Sequence, residues 1–404
     1  MTAHHDVRAP IETIEWRDDR TGAVGWIVID ALVNGVSGGG LFMHPGATQA
    51  EVTDLAATMT FKNTLNRPRF GGGKGGIRFD ARRPEAEGVL RRFMVANREV
   101  IAERWSTGAD LYTSNEAIER IARQDLGLPS AFAAMAAMIS RTCGIPSQAH
   151  LITPRMASPL NEYFTLEECA TGHSLASAIR QVDPHHPRVA LQGFGKVGSS
   201  AAFMLQDLDI AEVVGICEHD GFLVHPDGLD TVSLVRQLRT TGETSSLGQL
   251  AREGKTGGVW YPRVPGQGDE ALLIDFLRIT QPTVFSPCAT RYAITPDVLK
   301  TFMQAGGRHI VCGANNAFSE PDLAAAAEEA GITALPEWVS NSGNAMLFTE
   351  ILATPDWDDD SADTIFHTIQ QRISDYIHAA RTNSPSLRAG CHLHARQIMA
   401  TTQP

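Results

Sequence analysis

Apolar and polar positions change period several times along the chain, and each change predicts an element. Residues 24–30 (VGWIVID) read as a short apolar strand, followed by a glycine-rich turn at 38–40 and the run LFMHPG. From Thr48 to Leu65, the residues Val52, Leu55, Ala56, Met59 and Thr60 recur at helical spacing, which predicts a helix. FGGGKGGIRF, residues 70–79, is too rich in glycine for a helix and reads as a strand entered through a tight loop. A helix is expected over 84–104, where Pro84 and Glu85 give the start signal and Leu90, Phe93, Met94 and Ile101 the apolar stripe. Residues 115–124 and 129–140 also read as helical, and Pro146, Pro154 and Pro159 punctuate a loop-like segment at 145–165.

The pattern then becomes regular. After a helix at 166–181 and the linker DPHHPR, strands are expected at 188–193, 211–218, 283–285, 309–312 and 335–339. Helices at 197–207, 232–239, 272–279, 296–305 and 320–330 fall between them. Strands alternating with helices predict a doubly wound parallel sheet. A long amphipathic segment at 362–381 carries Ile365, Ile369, Ile373, Tyr376 and Ile377 on one face. The expected fold class is therefore α/β: an N-terminal α/β domain (1–155), a Rossmann-type dinucleotide-binding domain (156–340) and a C-terminal helical return onto the first domain (341–404).

Composition narrows the function. The 404 residues carry 46 acidic and 34 basic side chains, a net charge of −12, with 43% apolar and 20% charged residues. That is an ordinary globular composition. The acidic surplus argues against a nucleic-acid partner, which would need a basic face to release counterions. The longest uncharged apolar stretch, Leu126 to Ser140, is interrupted by Gly127 and Pro129 and falls short of the roughly 20 residues that span a bilayer. No membrane partner is expected. MTAHHDVRAPIETIEWRDD has no apolar core of a secretion signal. Six scattered cysteines without a C-x-x-C pair read as reduced thiols, and a cytoplasmic location is expected. No metal-ligand spacing is present. The histidines at 4, 5, 185 and 186 read as surface residues, and His392 and His394 lack a third ligand.

The segment 188–198, RVALQGFGKVG, places Gly193, Gly195 and Gly198 in G-x-G-x-x-G spacing between a strand and a helix. The first glycine makes the turn, the second admits a pyrophosphate to the backbone, and the third lets helix pack on strand. The turn residues Lys196 and Val197 would sit with the anion at the helix N-terminus. Glu218 ends the second strand 20 residues beyond Gly198, where an acid meets the adenosine ribose. Such an acid favours NAD and makes NADP the less favoured cofactor, because a 2′-phosphate would be repelled. The bland reading is a glycine turn between packed elements with a solvated Glu218.

Two lysines stand twelve residues apart, Lys62 after an apolar helix face and Lys74 in a loop with five glycines around it. Lysine is ordinarily a solvated surface residue. A desolvated lysine beside another cation, however, has its pKa pushed down and can carry protons near neutral pH.

MTFKN, GGGKGGI, ADLYT, ECATG, QGFGKVG, GANN and NSGN occur in this order, and from about residue 22 to about 350 the chain resembles the glutamate/leucine/phenylalanine/valine dehydrogenases. The resemblance implies a substrate and oligomerisation domain beside a Rossmann domain, a homo-oligomer of two or more chains, and an active site in the cleft. It implies reversible oxidative deamination of an L-amino acid to a 2-oxo acid and ammonia with NAD(P). Lys62 matches the lysine that holds the substrate α-carboxylate, beside Gly39 in the early glycine turn. Lys74 matches the catalytic lysine and Asp110 the catalytic aspartate that shuttles a proton at the α-nitrogen. Thr171 matches a threonine at the nicotinamide amide, Asn315 a cofactor-side asparagine, and Asn341 an asparagine near substrate and nicotinamide ribose.

The departures point to the substrate. Gly38 stands where glutamate dehydrogenases of the family have a lysine for the distal carboxylate and branched-chain enzymes a leucine. Phe348 replaces a serine that serves glutamate, and Ala345 a valine of the branched-chain enzymes. An unpaired distal carboxylate would be expensive to bury. A roomy pocket for a bulky apolar or aromatic side chain is therefore expected, lined by Phe348 with Met43 or Met346 as further candidates, and the chain is expected nearer the apolar-substrate branch. Phe42 replaces an arginine, Tyr112 a glycine, Asn344 the second glycine of N-A-G-G, and Lys196 an asparagine. Two alternatives stay open: an unusual amine or oxo acid as substrate, or a catalytically silent nucleotide-binding relative.

Overall fold

A computed structural model describes residues 9–241, 246–320 and 322–401. His4 and His5 lie outside them. The described residues divide into two compact units, one of 9–156, 345–361 and 395–401, the other of 157–344 and 362–394.

The first unit is built on a six-stranded sheet, with β1 (Glu12–Arg17), β2 (Val24–Ile29), β3 (Ser37–Gly38), β4 (Leu41–Met43), β5 (Gly71–Arg78) and β6 (Trp105–Ser106). The strands run in the order β1-β2-β5-β3-β6, with β4 also paired to β5. β1, β2 and β5 are antiparallel neighbours, while β3 and β4 lie parallel to β5. Every residue of β2 is buried because both faces of the sheet are covered. Val24, Trp26 and Val28 pack with Phe42, Val52 and Leu55 under α1 (Gln49–Lys62). Ile27 and Ile29 pack on the opposite face with Phe93, Ile101, Trp105 and Ile118.

That second layer consists of α2 (Ala86–Ala96), α3 (Arg98–Glu103), α4 (Asn115–Gln124) and α5 (Ala133–Cys143), followed by the short α6 (Ile152–Met156). The single helix expected over 84–104 is two. Asn97 breaks it at φ −108° and ψ 21°, with its N–H still 3.2 Å from the Phe93 and Met94 carbonyls and its Nδ2 also donating to Phe93 O at 2.8 Å. The glycine turn expected at 38–40 begins as strand, since Gly38 is the second residue of β3.

The second unit opens with α7 (Leu166–Val182), whose Thr165 and Glu168 form a reciprocal capping box. Then follow β7 (Arg188–Gln192), α8 (Lys196–Asp207), β8 (Glu212–Glu218), β9 (Gly221–Val224), α9 (Thr231–Thr241), α10 (Leu247–Arg252) and β10 (Val259–Pro262). After α11 (Asp269–Thr280) come β11 (Val284–Pro287), α12 (Pro296–Gln304), β12 (His309–Val311), α13 (Leu323–Glu329), β13 (Thr333–Leu335) and α14 (Glu337–Ser340). The seven-stranded sheet has the order β10-β9-β8-β7-β11-β12-β13. Its β8-β7-β11-β12-β13 part is parallel as expected, but β9 and β10 add an antiparallel edge. Both are short: β9 turns directly back on β8, and β10, reached only after α9 and α10, pairs with β9. The strand expected at 335–339 ends at Leu335, and Pro336 then caps α14, whose fixed φ suits a helix start.

α15 (Gly343–Ala353), α16 (Ser361–Asn383) and α17 (Leu387–Ala400) complete the chain. Ile365, Ile369, Ile373, Tyr376 and Ile377 are all buried, as their spacing requires. Among the described residues, no helix is long and apolar enough to cross a membrane. The six cysteines are free of disulfides.

One buried acid fixes the approach to α5. Glu119 of α4 is 3% exposed and accepts from Ser130 Oγ (2.8 Å) and Ala131 N (3.0 Å), with Arg123 at 3.6 Å. Burial pushes its carboxyl above the usual range despite these bonds. The folded state therefore binds this proton more tightly than the unfolded chain, so the stabilising contribution is complete below the ordinary carboxylate pKa and is lost as pH rises through the raised value. Glu119→Gln keeps an acceptor for Ser130 and removes the buried charge. Thermal melts should show the variant higher by about 2–4 °C at pH 8 and level with the parent near pH 4.

Candidate active site

The positions of the two lysines singled out in the sequence are set by how α1 lies on β5. Gly72, Lys74 and Gly76 share the face of β5 toward α1, because alternate residues of a strand point the same way. A Cβ at Gly72 would run into Thr60 and the Ala56 carbonyl, and one at Gly76 would lie 2.6 Å from both Phe42 Cζ and Val52 Cγ2. On the other face, Gly73 and Gly75 lie against Trp105. The glycines thus belong to a strand pressed between two layers, and Lys74 sits mid-strand instead of in the loop expected for it. It is 4% exposed, and its Nζ donates to Asp110 Oδ2.

Asp110 is held from several sides. Its N–H bonds Leu41 O at 3.2 Å, Leu111 N donates to Oδ1 at 2.7 Å, and Thr113 N closes the turn on Asp110 O at 3.0 Å. Thr113 Oγ1 ties that turn to Leu41 O at 2.7 Å. Tyr112 occupies the third position of the turn at φ +61°, the left-handed region that suits glycine. Its side chain is 65% exposed, and Asp110 meets Lys74 with Tyr112 in this conformation. Gly40 lets Asp110 come close, since a Cβ there would lie 3.0 Å from Asp110 Cβ.

Lys62 is the last residue of α1 and is 9% exposed. The next residue, Asn63, is fully buried and donates its Nδ2 to Gly38 O (3.1 Å) and Gly71 O (2.7 Å), locking the end of α1 to β3 and β5. Asn66 Nδ2 reaches Asn63 Oδ1 at 3.4 Å, and Thr349 Oγ1 of α15 donates to Asn66 Oδ1 at 2.9 Å. This relay brings the helix of Ala345 and Phe348 into the same unit. Sequence reasoning missed it, although Asn63 stands beside Lys62 in MTFKN.

The space beside Gly38 is not vacant. A Cβ there would lie 2.6 Å from Phe70 Cε2 and 3.1 Å from Met135 Cε. Gly39 backs onto the Gly73 carbonyl, with Met59 Cγ 3.1 Å from its Cβ position. Phe348 is half-buried and packs on Phe132 with ring centroids 4.7 Å apart. Met43 and Met346, expected as lining, are core residues at 2% and 0% exposure, and Phe42 is core as well. Phe70 and Met135 lie beside Gly38 and Phe132 beside Phe348, and only proximity in the fold identifies them.

In the second unit the strand–turn–helix motif forms as its glycines demand. Gly193 turns at φ +96°, Gly195 caps α8 with open space above it, and a Cβ at Gly198 would strike Gly193 O. Glu218 ends β8, and one of its carboxylate oxygens accepts from Phe194 N inside the turn. Burial pushes this carboxyl up, and the Phe194 bond opposes it. Lys196 is half-exposed with Nζ 3.6 Å from Glu167, and Val197 lies under Gly313. Thr171 projects from α7, which Gly172 allows to press onto Ser200 and Ala201 of α8. Asn341 Nδ2 donates to Asn315 Oδ1 at 2.8 Å and Gly313 O at 3.3 Å. Thr171, Asn315, Asn341 and the glycine turn therefore share the carboxyl-terminal end of the parallel strands, where ligands of doubly wound sheets bind. A dinucleotide fits the residues present: Asn341 is 6% exposed and its Oδ1 is buried without a partner, and the free amides after Gly195 face open space. Among the described residues, no group of three or more His, Cys, Asp or Glu could hold a metal ion.

Residues 166–403 match the family model for glutamate/leucine/phenylalanine/valine dehydrogenase, and residues 10–125 that for the dimerisation domain of the same enzymes. The chain belongs to this family. It is 28% identical over 315 residues to the NADP-specific glutamate dehydrogenase A1 of Halobacterium salinarum, covering 76% of this chain and 66% of that protein. It is 30% identical over 244 residues to the NAD-specific glutamate dehydrogenase A of the same organism, covering 57% and 51%. The chain thus spans about half to two thirds of the length of these curated relatives. A glutamate dehydrogenase structure superposes with a TM-score of 0.70 at 20% identity, over 98% of this chain and 87% of the other. A hetero-hexameric glutamate dehydrogenase of Thermus thermophilus gives 0.67 at 20% identity, over 96% and 88%. These relatives are named glutamate dehydrogenases, so they lend no support to a place nearer the apolar-substrate branch. Their names include both NADP- and NAD-specific enzymes, so they do not choose the cofactor.

Proposed function

We propose that the protein is a nicotinamide-dinucleotide-dependent L-amino-acid dehydrogenase that uses NAD and accepts a bulky apolar or aromatic side chain. The observation that carries this reading is the pairing with Asp110 of the buried Lys74, which lies on the strand that α1, ending at Lys62, packs against. In the oxidative direction, amino acid, water and oxidised dinucleotide give 2-oxo acid, ammonia, reduced dinucleotide and a proton. Bound nicotinamide would supply the two-electron acceptor, held by Gly193–Gly198, Glu218, Thr171, Asn315 and Asn341. Lys62 would take the α-carboxylate as a cation fixed by its helix and by Asn63. Lys74 would activate the water and polarise the carbonyl or imine. Asp110, whose Oδ1 accepts from Leu111 N and whose Oδ2 accepts from Lys74 Nζ, would move the proton at the α-nitrogen.

The side-chain assignment rests on the surroundings of Gly38 and Phe348. Phe70, Met135, Phe132 and Phe348 offer apolar and aromatic surface, and no cation stands at position 38. The same observation reduces the room expected there, because Phe70 and Met135 already occupy it. Support for a homo-oligomer comes from the match of residues 10–125 to a dimerisation-domain model.

Lys74→Ala should abolish turnover while NADH binding, measured by fluorescence, stays intact, since the two units hold these functions separately. Undiminished kcat would end the mechanistic assignment.

Glu218 should make kcat/KM higher with NAD than with NADP by about 5–150-fold, from a like-charge penalty of roughly 1–3 kcal/mol. Because burial raises this carboxyl, the discrimination should begin to fall on acidification at a higher pH than an ordinary carboxylate would give. A preference for NADP at pH 8 would contradict the assignment.

A scan of amino acids with NAD, followed by NADH absorbance, should rank phenylalanine above valine by about 10-fold or more, at ~0.8 kcal/mol per buried methylene. Glutamate should rank below both, and Ala345→Val should cut activity on phenylalanine more than on valine. A measured preference for glutamate would remove the apolar-pocket reading and leave the dehydrogenase reading standing.

A further inference from the structure

The start of α15 is clamped onto α7 on either side of Thr171. Gly343 N donates to Ser174 Oγ at 3.1 Å, and a Cβ at Gly343 would strike the Ala170 carbonyl. Ser174 Oγ in turn donates to Ser340 O at 2.7 Å, and Ser340 Oγ to Cys312 O at 2.6 Å. The turn at Asn341 and the first residues of α15, Asn344 among them, are therefore held on α7 and on the end of β12. The donors of Asn341 are committed to Asn315 and Gly313, which fixes its amide so that Oδ1 points away from both. That oxygen is buried and unpartnered, and three residues on, the Oδ1 of Asn344 is buried and unpartnered as well. Two orphaned acceptors within one short segment are costly to keep, so they mark a place where a donor is meant to arrive.

Position along the sheet says which donor. The strand order β8-β7-β11-β12 puts Glu218 and the glycine turn on β8 and β7. Gly313 and Asn315, to which Asn341 is tied, follow β12 on the other side of the β7/β11 switch point. A dinucleotide laid across that switch point, with its pyrophosphate at α8 and its adenosine at Glu218, carries its nicotinamide half toward β12. We propose that Asn344 Oδ1 accepts a hydrogen bond from the carboxamide N–H₂ of the nicotinamide, as a cofactor-positioning residue additional to Thr171, Asn315 and Asn341. This rests on the dinucleotide reading above. It also gives a role to an amide where the related pattern has glycine.

The test compares Asn344→Gly and Asn344→Ala with the parent protein by titration with NADH and with ADP-ribose, which lacks the nicotinamide, and by melts of the ligand-free protein. Loss of one hydrogen bond should raise the NADH Kd roughly 3–12-fold in both variants. The ADP-ribose Kd should stay within about twofold, and the ligand-free Tm should hold or rise, because an orphaned acceptor has been removed. An unchanged NADH Kd would overturn the proposal. So would equal weakening of NADH and ADP-ribose, which would place the lost bond elsewhere on the dinucleotide. A fall in ligand-free Tm accompanying the binding loss would assign Asn344 a structural role instead. If the parent protein binds ADP-ribose and NADH not at all, the dinucleotide reading itself fails and this inference with it.

Discussion

The close approach of α1 to β5 is the constraint on which the rest of the first unit depends. Only glycine at 72 and 76 lets the helix lie against the strand, because any Cβ there meets Thr60, Ala56, Phe42 or Val52. Lys74 lies between these two glycines on the same face, so the packing that buries α1 also removes its ammonium from water. Asp110 then supplies the charge partner that makes such burial tolerable. Asn63, the residue after the helix, spans to both flanking strands and fixes where Lys62 ends up. Core packing and the placement of candidate chemistry are one arrangement here.

Backbone-to-backbone proximity recurs in the second unit with a different outcome. Gly198 against Gly193, Gly172 against α8, and Gly343 against α7 each draw two elements closer than a side chain would permit. Their combined effect is to gather Thr171, Asn315 and Asn341 at the carboxyl end of the sheet. The polar groups so gathered are not all satisfied internally: Asn341 and Asn344 each keep a buried oxygen unpaired. In a protein interior most such groups are paired. A site that withholds pairing at one end of its sheet, while Glu218 is paired at the other, is arranged for a ligand with donors at that end.

The substrate side shows how a missing side chain differs from an empty space. A Cβ at Gly38 would meet Phe70 and Met135, so the space beside this glycine is already filled. That filling is apolar and leaves little room beside position 38. The relatives are named glutamate dehydrogenases, whereas the substrate reading proposed above rests on the apolar residues around position 38.

Much of this was legible in the chain itself. The parallel core of the second unit, the apolar face of α16, and the glycine turn before α8 follow from local periodicity and from the need for positive φ at Gly193. The resemblance of short motifs singled out Lys62, Lys74 and Asp110, and the fold brings Lys74 and Asp110 into contact across 36 residues of sequence. What periodicity could not supply was decided by contacts distant in sequence. The glycines around Lys74 read as a loop because glycine locally favours turns, yet packing against Trp105 on one side and α1 on the other makes them strand. The break at Asn97 is a change of backbone angles through which the apolar stripe continues, and the antiparallel edge of β9 and β10 comes from strand pairing that local periodicity does not announce. The neighbours of Gly38 and the orphaned oxygens of Asn341 and Asn344 depend on which segments meet. Volume and hydrogen-bond satisfaction are properties of that meeting, and no single segment of sequence contains them.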